Sequence, residues 1–161
     1  MQISIIAAGA KMPQWVHECC QDYYRRLPRP FVVREVQIAL EKRSAGQSTD
    51  KIKRRETERL LKEVPAGDWL VALDENGQCC STAAFARQLE GWKDQGRNVS
   101  FIIGGPDGID FSCQTKVRRH WPDQKWSLSP LTFPHPLVRV LLAEQVYRGW
   151  SVLAGHPYHR E

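Results

Sequence analysis

Two short runs of almost uninterrupted apolar residues constrain what this chain can fold into. They are Trp69-Leu-Val-Ala-Leu-Asp74 and Val99-Ser-Phe-Ile-Ile103. A strand with one solvent-facing side alternates apolar and polar residues, whereas a strand covered on both faces is apolar throughout. Both runs are therefore predicted to be strands of a parallel sheet with helices on both faces, which makes the chain an α/β protein.

Further strands and amphipathic segments alternate with these two runs. Strands are predicted over 2–8, 31–38 and 125–129, and helices over 13–27, 50–64, 82–96, 109–120 and 136–153. Asn76-Gly77 predicts a turn. No repeat or linker interrupts the alternation, and a chain of 161 residues can bury about 70% of its unfolded surface. We therefore expect one domain over residues 1–161.

The stretch from Leu128 to Arg139 is the second strong constraint. It is an apolar loop with two hydroxyl side chains and three prolines, and it leads into a helix that is apolar on most sides. A loop this stiff is expected where a ligand fits against its backbone. A helix apolar nearly all round must be buried on most sides. We expect that burial at a homodimer interface, and a central core helix is the alternative.

A glycine-rich loop, Gly104-Gly-Pro-Asp-Gly108, follows one of the buried strands. Ligands of open α/β sheets bind beyond the carboxyl ends of the strands, and glycine lets a ligand approach the backbone closely. The alternative is that Pro106-Asp-Gly simply forms a tight turn. The loop lacks both the Lys-Ser/Thr of a P-loop and the Gly-x-Gly-x-x-Gly spacing of a dinucleotide fold. An adenosine-like group held by backbone and apolar side chains fits better.

Charge favours a nucleic-acid partner. The chain has a net charge of +5, with basic clusters at 25–26, 51–55 and 118–120, and such an excess attracts polyanions. The 51–55 cluster can equally be a solvated helix face. No apolar run approaches the ~20 residues that span a bilayer, and Met1–Ala8 resembles a strand more than a signal peptide. A cytoplasmic protein is expected.

The five cysteines, at positions 19, 20, 79, 80 and 113, argue for the same compartment. Their number is odd, and the two adjacent pairs have neither disulfide-framework nor metal-binding spacing. Reduced thiols packed as small hydrophobic groups are the simplest interpretation, and a dithiol redox switch is the alternative. No histidine or cysteine spacing predicts a metal site.

Taken together, these residues resemble the RlmH family of the SPOUT methyltransferases. The resemblance covers nearly the whole chain. It rests on Ala8–Trp15, Tyr24–Leu27, Ile102–Gly108, Trp126–Ser129, Leu131–His135, Arg139, Glu144–Arg148 and His156–Arg160. It implies an S-adenosylmethionine-dependent enzyme that methylates N3 of a pseudouridine in 23S ribosomal RNA of the assembled ribosome. It also implies a homodimer and a C-terminal trefoil knot, which general topology rules would have argued against.

The resemblance also implies which residues form the site. Those implied to contact the cofactor are Leu73, Gly104, Gly105, Leu128, Ser129, Pro130, Leu131, Thr132 and Phe133. Candidates for binding the base or moving its proton are His135, Tyr158, His159 and Arg160, since histidine has a suitable unperturbed pKa. In a dimer, the tail could complete the partner's pocket.

The chain departs from the family pattern at three places. The segment between Phe111 and Trp126 is longer and more basic, Asp107 stands where glutamate is common, and Pro130 lies inside the cofactor loop. Proline has no backbone N–H, so a hydrogen bond from that position is excluded. A non-enzymatic RNA-binding domain and a cysteine-dependent redox protein are the competing functions.

Overall fold

The computed structural model describes residues 1–9, 11–44, 46–114 and 121–160, without the side chains of His159 and Arg160. Within these residues the chain forms β1 (Gln2–Ala8), α1 (Gln14–Arg26), β2 (Val32–Ile38), α2 (Thr49–Glu63), β3 (Trp69–Cys79), α3 (Thr82–Asp94), β4 (Val99–Ile103), β5 (Gln124–Ser127), α4 (His135–Leu153) and a final 3₁₀ turn (Pro157–Arg160). No helix among them is both long and apolar enough to cross a membrane.

The strands form one sheet in the order β2-β1-β4-β3-β5, and every neighbouring pair is parallel. The central strand β4 pairs with β1 on one side and β3 on the other, so that Val99 is opposite both Ile3 and Trp69. The predicted parallel α/β sheet is confirmed. The trefoil knot implied by the resemblance stays a prediction.

Both faces of the sheet are buried, which explains the uniformly apolar strands. Successive side chains of a strand point to opposite faces, and the neighbours Phe101 and Ile102 belong to two different clusters. One face packs against α3 and α4, with Trp92 and Leu142 in its cluster. The other packs against α2 through Leu60 and its neighbours.

Strand β3 differs from its predicted form. It runs on to Cys79, and both Leu73 and Gln78 pair with Trp126, so residues 74–77 bulge out of the sheet where a plain turn was predicted. A Cβ on Gly77 would lie 2.5 Å from the carbonyl carbon of Trp126. Only glycine allows the two backbones to approach this closely.

The predicted helix over 109–120 is wrong in its described part. Residues 109–114 are not helical, and residues 115–120, with the basic cluster at 118–120, lie outside the described chain. The Asp110 carboxylate accepts hydrogen bonds from the backbone N–H (2.9 Å) and the hydroxyl (2.6 Å) of Ser112. Such local bonds compete with helix formation. The backbone N–H of Asp110 also donates to the Thr57 hydroxyl, which fixes the segment on α2.

Helix α4 is buried mainly by its own chain. It packs against α1 through Ala143 and Val16, and against α3 through Leu142 and Leu89. Part of its apolar surface is therefore buried within the chain, as in the core helix that was the alternative to a dimer interface.

Candidate functional site

A cleft of about 700 Å³ lies beyond the carboxyl ends of β3, β4 and β5. These strands are neighbours in the order β4-β3-β5, so the loops that follow them share one rim, as predicted. Among the sequence-predicted cofactor residues, those that line the cleft are Leu73, Gly104, Gly105, Leu128, Ser129, Leu131, Thr132 and Phe133. Pro130 is exposed and lies outside this lining.

The glycine loop is a tight turn and a wall of the cleft at once. The backbone N–H of Gly108 donates to the carbonyl of Gly105 (2.9 Å), and Pro106 occupies the first corner of the turn. A Cβ on Gly104 would lie 2.7 Å from the carbonyl carbon of Gly108. Gly108 has φ +80°, a conformation that favours glycine. The tight turn predicted from Pro106-Asp-Gly is therefore confirmed, and ligand binding against this loop stays a prediction.

A fully buried carboxylate supports the turn from below. Glu56 of α2 lies against Gly105, at a place that any larger side chain would fill. Its Oε1 accepts from the backbone N–H of Glu41 (2.9 Å), and the Arg43 guanidinium pairs with Asp107 (2.6 Å). The segment before α2 is thereby tied to the glycine turn. Neither this tie nor a role for Glu56 was predicted from the sequence.

The loop over 128–133 is ordered by its own hydroxyl groups. The Ser127 hydroxyl donates to the carbonyl of Ser129 (2.7 Å), and the Ser129 hydroxyl accepts from the backbone N–H of Leu131 (3.0 Å). The Thr132 hydroxyl donates to Glu75 on the β3 bulge (3.3 Å). Leu131 is 70% exposed at the mouth of the cleft, where an apolar side chain can cover a bound ring.

His135 lines the cleft from the first turn of α4. Burial, followed by the positive charge of Arg139, lowers its pKa to about 4. The imidazole is therefore neutral near pH 7. Its Nε2 is buried and has no hydrogen-bond partner among the described residues, so it offers an unpaired polar atom to a ligand.

Tyr158, the other described catalytic candidate, packs on α4 far from this cleft. Its hydroxyl donates to Glu144 (3.2 Å), and the Arg148 guanidinium lies 4.8 Å from its ring centre. Burial raises its pKa, and the hydroxyl stays protonated. Glu144 follows His135 by nine residues, roughly 14 Å along a helix. Tyr158 and His135 of the same chain therefore do not lie close together. The side chains of His159 and Arg160 lie outside the described structure.

Sequence reasoning missed part of the cleft wall. The bulge of β3 adds Asp74, Glu75 and Asn76, and Met12 and Trp126 add further contacts. The signal for the bulge was Gly77, which was interpreted as the second residue of a turn. The two carboxylates give this side of the rim a negative charge.

Burial disfavours the thiolate form at three of the five cysteines. All five cysteines are free. Burial raises the pKa of Cys20 to about 11 and raises the pKa of Cys80 and Cys113 as well. The thiolate is the reactive form, so these positions favour thiols packed as small hydrophobic groups.

Comparison with known proteins agrees with this geometry. Residues 1–159 match the family described as predicted SPOUT methyltransferase. The chain is 44% identical to a protein of Hahella chejuensis, 45% identical to one of Thioalkalivibrio sulfidiphilus and 46% identical to one of Methylobacillus flagellatus. Each match covers the whole of both chains, and each relative is named ribosomal RNA large subunit methyltransferase H.

Proposed function

This chain belongs to the SPOUT methyltransferase family, and from that premise we propose that it methylates large-subunit (23S) ribosomal RNA with S-adenosylmethionine as the methyl donor. The proposed target is N3 of a pseudouridine in the assembled ribosome, in the cytoplasm. The observation that carries the proposal is the glycine-walled cleft at the carboxyl ends of three adjacent strands. The names of the full-length relatives support the choice of RNA.

The residues of the cleft fit S-adenosylmethionine. The cavity of about 700 Å³ is of the size that takes a drug-sized ligand. Gly104 and Gly105 leave the backbone open to an adenosine group, and Leu73, Leu128 and Phe133 supply apolar contacts. Asp74 and Glu75 bring negative charge to the rim, which suits a cationic sulfonium. When bound, the cofactor supplies an already activated methyl group.

The chain's own contribution to the reaction is positioning. Holding two reactants in attack geometry can supply about 7–11 kcal/mol of the barrier. The Ser129 hydroxyl and the Glu75 carboxylate hold the 128–133 loop in place. Glu56 packs under the glycine turn, and the ion pair between Asp107 and Arg43 ties the turn to the segment before α2. His135 keeps a neutral imidazole beside the cleft, and its unpaired nitrogen can accept a hydrogen bond from the nucleobase. A pKa of about 4 makes this imidazole a weak proton acceptor near pH 7, so its role is to orient the nucleobase and not to remove its proton.

Tyr158, His159 and Arg160 are proposed to act in the cleft of a second subunit. The long path from Tyr158 to the cleft of its own chain supports this arrangement. So do the large apolar side chains exposed near the starts of α1 and α4. Trp15 on α1 is 49% exposed and Leu137 on α4 is 40% exposed. In the proposed homodimer, α1 and α4 form the interface and each tail completes the partner's site.

The RNA is proposed to bind through phosphate contacts and an unstacked base. The excess of basic residues supports the phosphate contacts, although three basic residues of α2 are already paired, Arg54 with Glu58 and both Arg55 and Arg59 with Glu41. Enzymes that modify a base reach it in single-stranded or extruded form.

One experiment tests the whole proposal. The protein is incubated with methyl-labelled S-adenosylmethionine and ribosomes that lack the modification, and the labelled nucleotide is mapped. We expect one labelled pseudouridine in the 23S RNA, with a rate that falls steeply as salt rises. No label in RNA would refute the proposed function, and label at another nucleotide would refute the target.

A further inference from the structure

A second cavity, of about 550 Å³, lies beside the cofactor cleft. Met12 lines both cavities, so the segment between β1 and α1 separates them. The polar residues that line the second cavity are Lys11, Gln14, His17, Glu35, Gln37 and Arg139. The cavity borders the proposed dimer interface, because residues of α1 and Arg139 of α4 line it, but no step of the proposed methyl transfer uses it.

An incompletely paired guanidinium forms its floor. Arg139 is only 7% exposed. Its Nη1 donates to the Gln37 side-chain oxygen (3.3 Å). Its Nε and Nη2 are buried and have no partner in the described part of the chain. A buried charge without full hydrogen bonding is costly, so this arginine is expected where a ligand completes its bonds.

No carboxylate in the described structure takes that place. Glu35 lines the same cavity, but it accepts from the Tyr24 hydroxyl (3.3 Å) and the Gln21 amide (3.2 Å). Burial lowers the pKa of Arg139, and the charge of Glu35 opposes that effect. Arginine nevertheless remains protonated in proteins. Arg139 therefore presents a positive charge to the cavity.

The two free nitrogens define the shape of the missing ligand. Nε and Nη2 lie on one edge of the planar guanidinium and donate in parallel. That edge matches two oxygens of a phosphate or a carboxylate. Lys11 and His17 also line the cavity, and Lys11 adds a positive charge. The expected ligand is an oxyanion.

The position of Arg139 connects this oxyanion with the methylation site. Arg139 follows His135 by four residues on α4, so both side chains lie on the same helix face. His135 lines the cofactor cleft and Arg139 lines the second cavity. A nucleotide with its base at the cleft would therefore have a backbone phosphate near the second cavity.

We propose that the second cavity binds a phosphodiester group of the RNA substrate, through Nε and Nη2 of Arg139. The choice of RNA rests on the proposed function. Arg139 is then a substrate-positioning residue that orients the nucleotide whose base enters the cleft.

The test compares Arg139→Met with Arg87→Met. Arg87 is exposed on α3, so both variants lose one charge. Equilibrium binding of the target RNA stem-loop is measured over a range of salt concentrations. Arg139→Met should weaken binding roughly 10- to 100-fold, as expected for hydrogen bonds to a charged group, and should reduce the salt slope by about 1. Arg87→Met should leave the slope unchanged, and both variants should bind S-adenosylmethionine normally.

Folding does not obscure this result. Arg139→Met removes an incompletely paired buried charge and keeps an unbranched apolar side chain, so the unfolding midpoint should stay or rise. A direct readout is the Nε–H nuclear magnetic resonance signal of Arg139 in ¹⁵N-labelled protein, identified by its loss in Arg139→Met. We expect the stem-loop to shift this signal.

Two outcomes would overturn the inference alone. One is a protein that methylates RNA while Arg139→Met retains wild-type RNA affinity and salt slope. The other is an Nε–H signal that moves with protein concentration and not with RNA, which would assign the cavity to a carboxylate of a second copy of the chain. A wild-type protein that binds the stem-loop at Arg139 but transfers no methyl group would overturn the proposed function instead.

Discussion

Gly9 and His135 are packed so closely that no side chain fits between them. A Cβ on Gly9 would lie 2.9 Å from Cε1 and 3.2 Å from Nδ1 of the imidazole. The backbone of Gly9 cannot retreat easily, because its N–H donates to the carbonyl of Ile38 and its carbonyl accepts from Gln37. The end of β1 therefore fixes the position of the imidazole at the cleft.

Gly9→Ala should displace the His135 ring and reduce methyl transfer by about tenfold or more, since a misplacement of about 1 Å can cost as much as 100-fold. Overpacking should also lower the free energy of unfolding by about 1–3 kcal/mol. Single-turnover methylation and urea unfolding measure the two effects. Wild-type activity in Gly9→Ala would show that the position of the imidazole does not matter.

Gly104→Ala should damage cofactor binding. The added methyl group would meet the backbone of Gly108, at 2.7 Å from its carbonyl carbon, so the glycine turn must open. Calorimetry should show S-adenosylmethionine affinity at least about tenfold lower, with about 1–3 kcal/mol of stability lost.

Gly91→Ala is the matched control for that substitution. Gly91 lies inside α3, and a Cβ there would meet nothing within 4 Å. Alanine in a helix interior should stabilise the protein by about 0.5–1 kcal/mol and leave cofactor affinity unchanged. Equal effects of the two substitutions would remove the special role of the glycine turn.

The sheet and the rim were predictable from the sequence, because burial on both faces leaves a direct trace in strand composition. Val99–Ile103 is an example, since every residue of β4 is buried. The loop over 128–133 was predictable for a similar reason, because its prolines and hydroxyl groups show a stiff segment after a strand.

Other features depend on contacts between distant segments and left no local pattern. Glu56 looked like one charged residue of a surface helix, yet it lies fully buried under Gly105. The bulge at 74–77 exists because Leu73 and Gln78 both pair with Trp126, a relation that only the folded sheet creates. The segment 109–114 is an exception, because the hydrogen bonds between Asp110 and Ser112 that compete with a helix are local and both polar residues are visible in the sequence.

The pKa of His135 should make stability depend on pH. The unfolded chain takes up a proton on this residue near pH 6.5, whereas the folded chain does so only near pH 4. The unfolded state therefore binds more protons between these values, and stability should fall as pH falls from 6.5 to 4. His135→Gln should lack this contribution. Urea midpoints of both proteins across that range measure the difference, and parallel curves would contradict the lowered pKa.

Pro130→Ala should affect stability more than cofactor binding. Pro130 is exposed and lies outside the lining of the cleft, so the missing backbone donor is expected to cost the cofactor little. Replacing a proline makes the unfolded chain more flexible, which should lower stability by about 0.4–1 kcal/mol. Calorimetry and urea unfolding distinguish the two effects. A large gain in cofactor affinity would show instead that the N–H of residue 130 points to the ligand.

Removal of residues 156–161 should abolish methyl transfer and spare cofactor binding. The tail packs on α4 through the hydrogen bond from Tyr158 to Glu144 and through the ring of Tyr147, 4.8 Å from that of Tyr158 between centres. It lies away from the cleft of its own chain, so its loss should not disturb the glycine turn. In the proposed dimer, mixing the truncated protein with Gly104→Ala should restore activity, because one cleft of the mixed dimer is intact and receives an intact tail. No recovery in a verified mixed dimer would contradict action between subunits, and full activity of the truncated protein would remove the tail from the mechanism.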